Sequence, residues 1–252
     1  MDTILTVLDK AMGPIFGIGF FGFMIWLFYW LIVVVPKKIG AFFKEMGKSG
    51  YRPVDLEESE MLEAMNRLVP PHPQRTSGGS NVTPWKVRKA IRKDEPEVRS
   101  YITMVNRNES HAGDGASKSY VQSCLLFFQE RALEMDGLIY LTPKKNRSAN
   151  KWQEYFGAEE FIEGYGEQLH QNYHIFSPEK RAIPIPAQLE KELIESCEIL
   201  CRRELFCFAN GVNLQFSADG WGICPDNYAY KKQHLQLLTD LFHRIDHALS
   251  VR

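Results

Sequence analysis

From Ala11 to Pro36 the chain carries no charged side chain, and this stretch limits its architecture more than any other feature. It reads AMGPIFGIGFFGFMIWLFYWLIVVVP. As a helix it would reach about 39 Å at ~1.5 Å per residue, whereas about 20 residues suffice to cross the hydrocarbon of a bilayer. A core helix of a soluble protein normally keeps a polar stripe, and this one has none. Trp26, Tyr29 and Trp30 are amphipathic aromatics of the kind that gather near a membrane interface. A cleavable signal would need a basic start, a shorter apolar run and a small-x-small cleavage site. Here Asp2 and Asp9 flank the start beside Lys10, and the run ends in VVVPKK. The reading is an uncleaved transmembrane helix that contacts the lipid bilayer through residues 11–36.

The flanks set an expected orientation. Lys37, Lys38, Lys44, Lys48 and Arg52 follow the helix, while Lys10 alone precedes it. Positive charge stays inside, so the N-terminus is expected outside and the C-terminal domain in the cytoplasm. Asn-x-Ser/Thr triplets at Asn81, Asn108 and Asn146 would then stay unmodified. Gly13 and Gly17 form a Gly-x-x-x-Gly pair, a spacing that permits self-association of membrane helices.

The organisation expected is a short tail over 1–10, the transmembrane helix over 11–36 and a basic juxtamembrane segment over 37–54. A helical arm with a Pro/Gly-rich linker follows over 55–95, then a soluble α+β domain over 96–252. In the juxtamembrane segment Ile39–Lys48 reads as a short amphipathic turn. Leu56, Met61, Leu62, Met65 and Val69 recur at helical spacing over Asp55–Val69, and Pro70, Pro71 and Pro73 end that helix. Residues 70–84 (PPHPQRTSGGSNVTP) read as the linker. Trp85–Lys93 packs five basic residues into nine positions. At helical spacing these would form one face, either packed on the acidic helix before it or presented to anionic lipid or an acidic partner.

Beyond Val98 the pattern turns to strands. VRSYITMVNR alternates, Ser110–Lys118 reads as a turn cluster, and Ser119–Gln129 completes a hairpin. Leu138–Pro143 and Tyr173–Phe176 are short strands, and Trp152–Leu169 between them reads as helix or loop. Ile183–Pro186 is extended because each proline biases its predecessor away from helix. Ala187–Arg202 is an amphipathic helix. Leu205–Ala209, Asn210-Gly211 and Val212–Ser217 form a hairpin around a type I′ dipeptide. Val212, Leu214 and Phe216 alternate with Asn213, Gln215 and Ser217, predicting one buried and one wet face. Trp221–Cys224 extends the meander, and a last helix over Tyr228–Leu249 carries an apolar stripe of Leu235, Leu238, Phe242, Ile245 and Leu249. Hairpin-linked strands with helices before and after predict an α+β fold, a mostly antiparallel sheet covered by helices.

The Tyr173–Phe176 strand, the Ile-Pro lead-in, the Ala187–Arg202 helix and the Asn-Gly meander together resemble uncharacterised membrane-anchored bacterial domains. The resemblance covers about 80 residues of the later part. It implies a bacterial inner membrane and brings no activity with it.

Chemistry-bearing residues are few and scattered. Cys124, Cys197, Cys201, Cys207 and Cys224 form no Cys-x-x-Cys pair, and buried, reduced thiols are expected. His243 and His247 share a helical face near Asp240 and Asp246, with His234 earlier, but the Glu of His-Glu-x-x-His is missing. Glu159, Glu160, Glu163 and Glu167 fall at partly helical spacing, a pattern usual for a solvated face. Trp221, Asp219 and Asn227 mark where a pocket would first be sought. No P-loop, serine-nucleophile signature or dinucleotide fingerprint is present. With 30 basic and 31 acidic residues no global field favours nucleic acid. No catalytic, metal or cofactor site is assigned, and the chain is not expected to be an enzyme. The expectation is a membrane-anchored interaction or scaffold protein with protein partners. The alternative is a membrane-anchored enzyme or small-ligand sensor whose pocket leaves no linear motif.

Overall fold

The structure, a computed structural model, describes residues 20–69, 74–76, 79–81, 85–113, 116–144, 159–160, 164–200, 212–225 and 232–250. The chain divides into two compact units, Met1–Met46 and Gly47–Arg252.

Within the first unit and running past it, one helix (α1) covers Phe20–Lys48. It is long and apolar enough to cross a membrane, and its apolar window is 0% buried. The helix expected to stop at Pro36 continues through it. Trp30–Val34 adopts a π-helical turn just before that proline. Proline has no N–H to offer the carbonyl four residues back and its ring crowds that group, so a locally widened turn accommodates it without ending the helix.

The second unit is α+β. Its strands are β1 (Arg52–Pro53), β2 (Gln74–Thr76), β3 (Gly79–Asn81), β4 (Lys86–Glu95), β5 (Val98–Gly113), β6 (Ala116–Glu130), β7 (Ile139–Pro143), β8 (Glu159–Glu160), β9 (Tyr173–Ser177), β10 (Val212–Ser217) and β11 (Gly220–Pro225). Its helices are α2 (Ser59–Leu68), α3 (Glu167–Asn172), α4 (Ala187–Leu200) and α5 (Lys232–Ser250). Among the described residues nine strands form one sheet in the order β1-β4-β5-β6-β11-β10-β7-β9-β8, while β2 and β3 pair separately. Every neighbouring pair is antiparallel.

Both faces of the sheet are covered. On β6, Cys124, Leu126 and Phe128 join Met61, Ala64, Met65 and Leu68 of α2 in one core cluster. The alternate residue Phe127 meets Phe242 of α5 at 5.8 Å. Trp221 of β11 lies stacked between Phe216 and Phe242, at 5.8 and 4.8 Å. A strand buried on both sides reads as a continuous apolar run, which is why CLLFF shows no alternation. The expected stripe on the last helix is buried at Leu235, Leu238, Phe242 and Ile245. Cys124, Cys197 and Cys224 are buried and in no disulfide, and Cys201 and Cys207 lie outside the described residues.

Four local expectations are corrected. Trp85–Lys93 is not a helical face: β4 occupies Lys86–Glu95 and pairs with β5 over its length, with a bulge between Val87 and Lys89. Residues 55–95, expected as an arm, supply α2 to one face of the sheet and β4 to the sheet itself. Ser110–Lys118 is not a turn cluster, since the β5–β6 ladder runs through it to Gly113 and Ala116. Asn213 and Gln215 are not wet: both are 4% exposed. The Gln215 amide donates to the Arg67 carbonyl at 2.6 Å at the end of α2, and Asn213 accepts from the Thr142 hydroxyl at 2.8 Å. The helix α2 covers the face that the sequence pattern assigned to water. Leu205–Gly211, the first limb and turn of the expected hairpin, lies outside the described residues. Over Leu214–Phe216 both edges of β10 are taken, by β11 and by β7.

Candidate functional site

An open charged groove of about 530 Å³ lies at one end of the sheet. Two sheet turns, two strand ends and one helix build it. The β4–β5 turn gives Glu95, Glu97 and Val98, the start of β5 gives Arg99, and the end of β6 gives Glu130 and Arg131; the β10–β11 turn adds Ala218 and Asp219, and α2 adds Arg67. Glu97 has a left-handed backbone (φ 64), closing a tight turn between Glu95 and its partner Val98. Backbone bonds from Arg131 N to Asp219 O (3.1 Å) and Leu133 N to Ala218 O (2.9 Å) tie the segment after β6 to the β10–β11 turn.

Glu130 is the electrostatic hub. It accepts from Arg67 at 3.1 Å on one oxygen and from the Tyr101 hydroxyl at 3.1 Å on the other. Arg99 lies 4.0 Å away and itself donates to Glu60 at 2.9 Å. Arg67 also reaches Asp219 at 3.5 Å. Burial, with the Glu130 carboxylate next to it, pushes the Tyr101 phenol from 10.0 up to about 12. Tyr101 therefore acts as a neutral hydrogen-bond donor at ordinary pH.

Beneath the groove a second network pins α5 to the sheet. Arg131, 13% exposed in its side chain, donates to Asp246 Oδ1 at 2.7 Å. Gln129 is fully buried and connects three elements. Its amide N–H groups donate to Ser100 Oγ and Asp246 Oδ1, each at 3.0 Å, and its Oε1 accepts from Trp221 Nε1 at 2.9 Å. Tyr51 lies in the same neighbourhood: burial, then Asp246 and Glu95, raise its phenol far above the usual range.

The groove lining comprises arginine, acidic and small apolar side chains. Such a surface holds fixed charges of both signs and suits recognition of a partner's complementary charges. Arg67 and Arg99, 47% and 48% exposed, keep donors available for a carboxylate.

Of the residues singled out in the sequence, Asp219 lines this groove and Trp221 lies in the core beneath it. Asn227 is outside the described residues. His243 and His247 are exposed on α5, Asp240 accepts from Gln236 at 2.9 Å, and Asp246 is engaged by Arg131; the side chain of His234 is not described. Among the described residues no group of three His, Cys, Asp or Glu side chains is placed to hold a metal ion. The four glutamates do not share a helix: Glu159 and Glu160 lie on β8, Glu167 begins α3, and Glu163 falls outside the described residues. Gly13 and Gly17 also lie outside them. Arg67, Arg99, Glu130 and Arg131 carried no signal in the sequence because α2, the start of β5 and the end of β6, which gather them, are far apart along the chain. The one hint was Gln129-Glu130-Arg131, three polar residues directly after the apolar run CLLFF. Compared with protein-family models, curated proteins and solved structures, the chain shows no match.

Proposed function

We propose that this chain is a membrane-anchored interaction module. In this reading α1 crosses a bacterial inner membrane, the α+β unit faces the cytoplasm, and the charged groove receives a protein partner in a membrane-associated complex. One observation supports the anchor above all others. Phe20, Phe21, Phe23, Ile25, Trp26, Phe28, Tyr29 and Ile32 of α1 are 55–68% exposed. Water would oppose that much bare apolar surface at roughly 25 cal/mol per Å², and hydrocarbon removes the penalty. Tethering raises the local concentration of the module for partners in the same membrane.

The test combines a carbonate wash with reporter fusions after residue 50 and at the C-terminus. The chain is expected to stay in the membrane pellet and a cytoplasmic reporter to be active at both positions. Release by carbonate, or activity of an exported reporter, refutes the anchored cytoplasmic arrangement. For the groove, a photo-crosslinker at Ala218 is expected to yield a specific adduct that Arg67→Glu with Arg99→Glu abolishes.

A second reading, a small-ligand sensor, draws on the groove volume, which falls within the range of about 300–1,000 Å³ common for ligand sites. A metabolite that raises the melting temperature of the full chain, and fails to do so with Arg99→Glu, would favour it.

A further inference from the structure

The C-terminal end of α2 is buried against the sheet, with Leu68 0% and Val69 2% exposed. A helix end out of reach of bulk water must find donors for its last carbonyls inside the protein. Three of these carbonyls have one. Met65 O accepts from Val69 N at 2.9 Å, Arg67 O from the Gln215 amide at 2.6 Å, and Val69 O from Trp85 Nε1 at 2.9 Å. Among the described residues no donor reaches the Leu68 carbonyl.

A second orphaned acceptor belongs to the same place. Gln215 donates its amide N–H to Arg67, and its Oε1 is buried with no hydrogen-bond partner among the described residues. Gly222 links the two acceptors. It is the register partner of Gln215, and a Cβ on it would fall 2.9 Å from Leu68 O. With no side chain there, space stays open between helix and sheet. A cavity of about 10 Å³ lies at this joint, lined by Leu68, Val69, Gln215, Gly222 and Cys224 among other buried residues. A polar cavity of about that size admits one water and nothing larger.

We propose that this cavity is a binding site for one structural water, which donates one hydrogen to Gln215 Oε1 and the other to Leu68 O. Water fits the chemistry of the site: two donors for two neutral acceptors, in a space too small for an organic ligand. Cys224 also lines the cavity, and its thiol is a weak donor that can complete the water's bonding. A metal cation is the wrong occupant, because the described lining has no carboxylate and the charge would be buried without a counter-ion. The water fastens the end of α2 to β10 and β11 one residue after Arg67, so it steadies a cation of the charged groove as well as the helix. The inference stands apart from the anchor and partner readings, since every residue in it belongs to the second unit.

Crystals of the full chain, purified in detergent, test this at a resolution that shows ordered waters. One density peak is expected about 2.7–3.0 Å from both Gln215 Oε1 and Leu68 O. A cavity without density overturns the proposal, as does a peptide or side-chain donor found on either oxygen. Urea unfolding supplies a second reading through Cys224→Val, which adds bulk to the cavity and leaves both oxygens in place. Expelling a bound water strands two buried acceptors, so the unfolding constant should rise about tenfold or more. A dry cavity gains contacts when it is filled, so unchanged or raised stability overturns the proposal. Simple overpacking is separated by repeating the substitution in Gln215→Met, where one acceptor is already gone. There the effect of Cys224→Val on the unfolding constant should shrink by about threefold or more, and an equal effect in both backgrounds overturns the proposal.

Discussion

Tyr101 and Gln129 show how single buried polar groups carry this fold. The Tyr101 phenol is raised from 10.0 to about 12 by burial and by Glu130. A tyrosine harder to ionise in the folded state leaves stability intact below pH 10, where it is neutral in both states. As pH rises from 10 toward 12 the unfolded chain ionises first, and stability falls by on the order of 2–3 kcal/mol. Urea unfolding across that range should show this loss, and Tyr101→Phe should remove that part of the slope. Gln129 is a different case, because its Oε1 is the acceptor for the buried Trp221 N–H. Gln129→Leu keeps the volume but deprives the buried Trp221 N–H of its acceptor at 2.9 Å. The expected loss is about 1–3 kcal/mol in urea unfolding, the usual penalty for a buried donor left unmade. Neither residue is conspicuous in the sequence, since a Tyr or Gln on a strand gives no sign of whether it faces water or a helix.

At the scale of elements, the fit between α2 and β11 depends on a residue with no side chain. A Cβ on Gly222 would fall inside Val69 Cγ1 and 2.9 Å from the Leu68 carbonyl oxygen, where α2 ends. Gly222→Ala is therefore expected to push α2 off the sheet and cost about 1–3 kcal/mol. Pairing it with Val69→Ala should restore part of the loss, and a double-mutant cycle in urea would measure the coupling. The same contact explains why the alternation of β10 misled. Asn213 and Gln215 point toward the α2 face, where Gln215 holds the carbonyl of Arg67 instead of facing solvent. The basic segment misled in the opposite direction. Trp85–Lys93 fits helical spacing as well as strand spacing, and pairing with β5 decided between them.

Across the whole molecule, charge-free composition alone identified the apolar helix, because hydrocarbon and water sort side chains by local chemistry. The α+β class, the last helix and its stripe, α4 and the short strands β7 and β9 were also legible, each being fixed by local periodicity and by prolines that end segments. The extent of α1 was not, since a π-helical turn before Pro36 let it run on to Lys48. Nor were the order of the strands, the covering of the sheet on both faces or the charged groove. The groove joins Arg67, Arg99, Glu130, Arg131 and Asp219, which no spacing rule connects. The sequence by itself determined which segments are apolar and placed α4 and α5 with their apolar stripes, because those depend on neighbours a few residues away. Only the tertiary structure decided which faces meet and which charges converge, because strand order and helix placement bring together side chains that are remote along the chain.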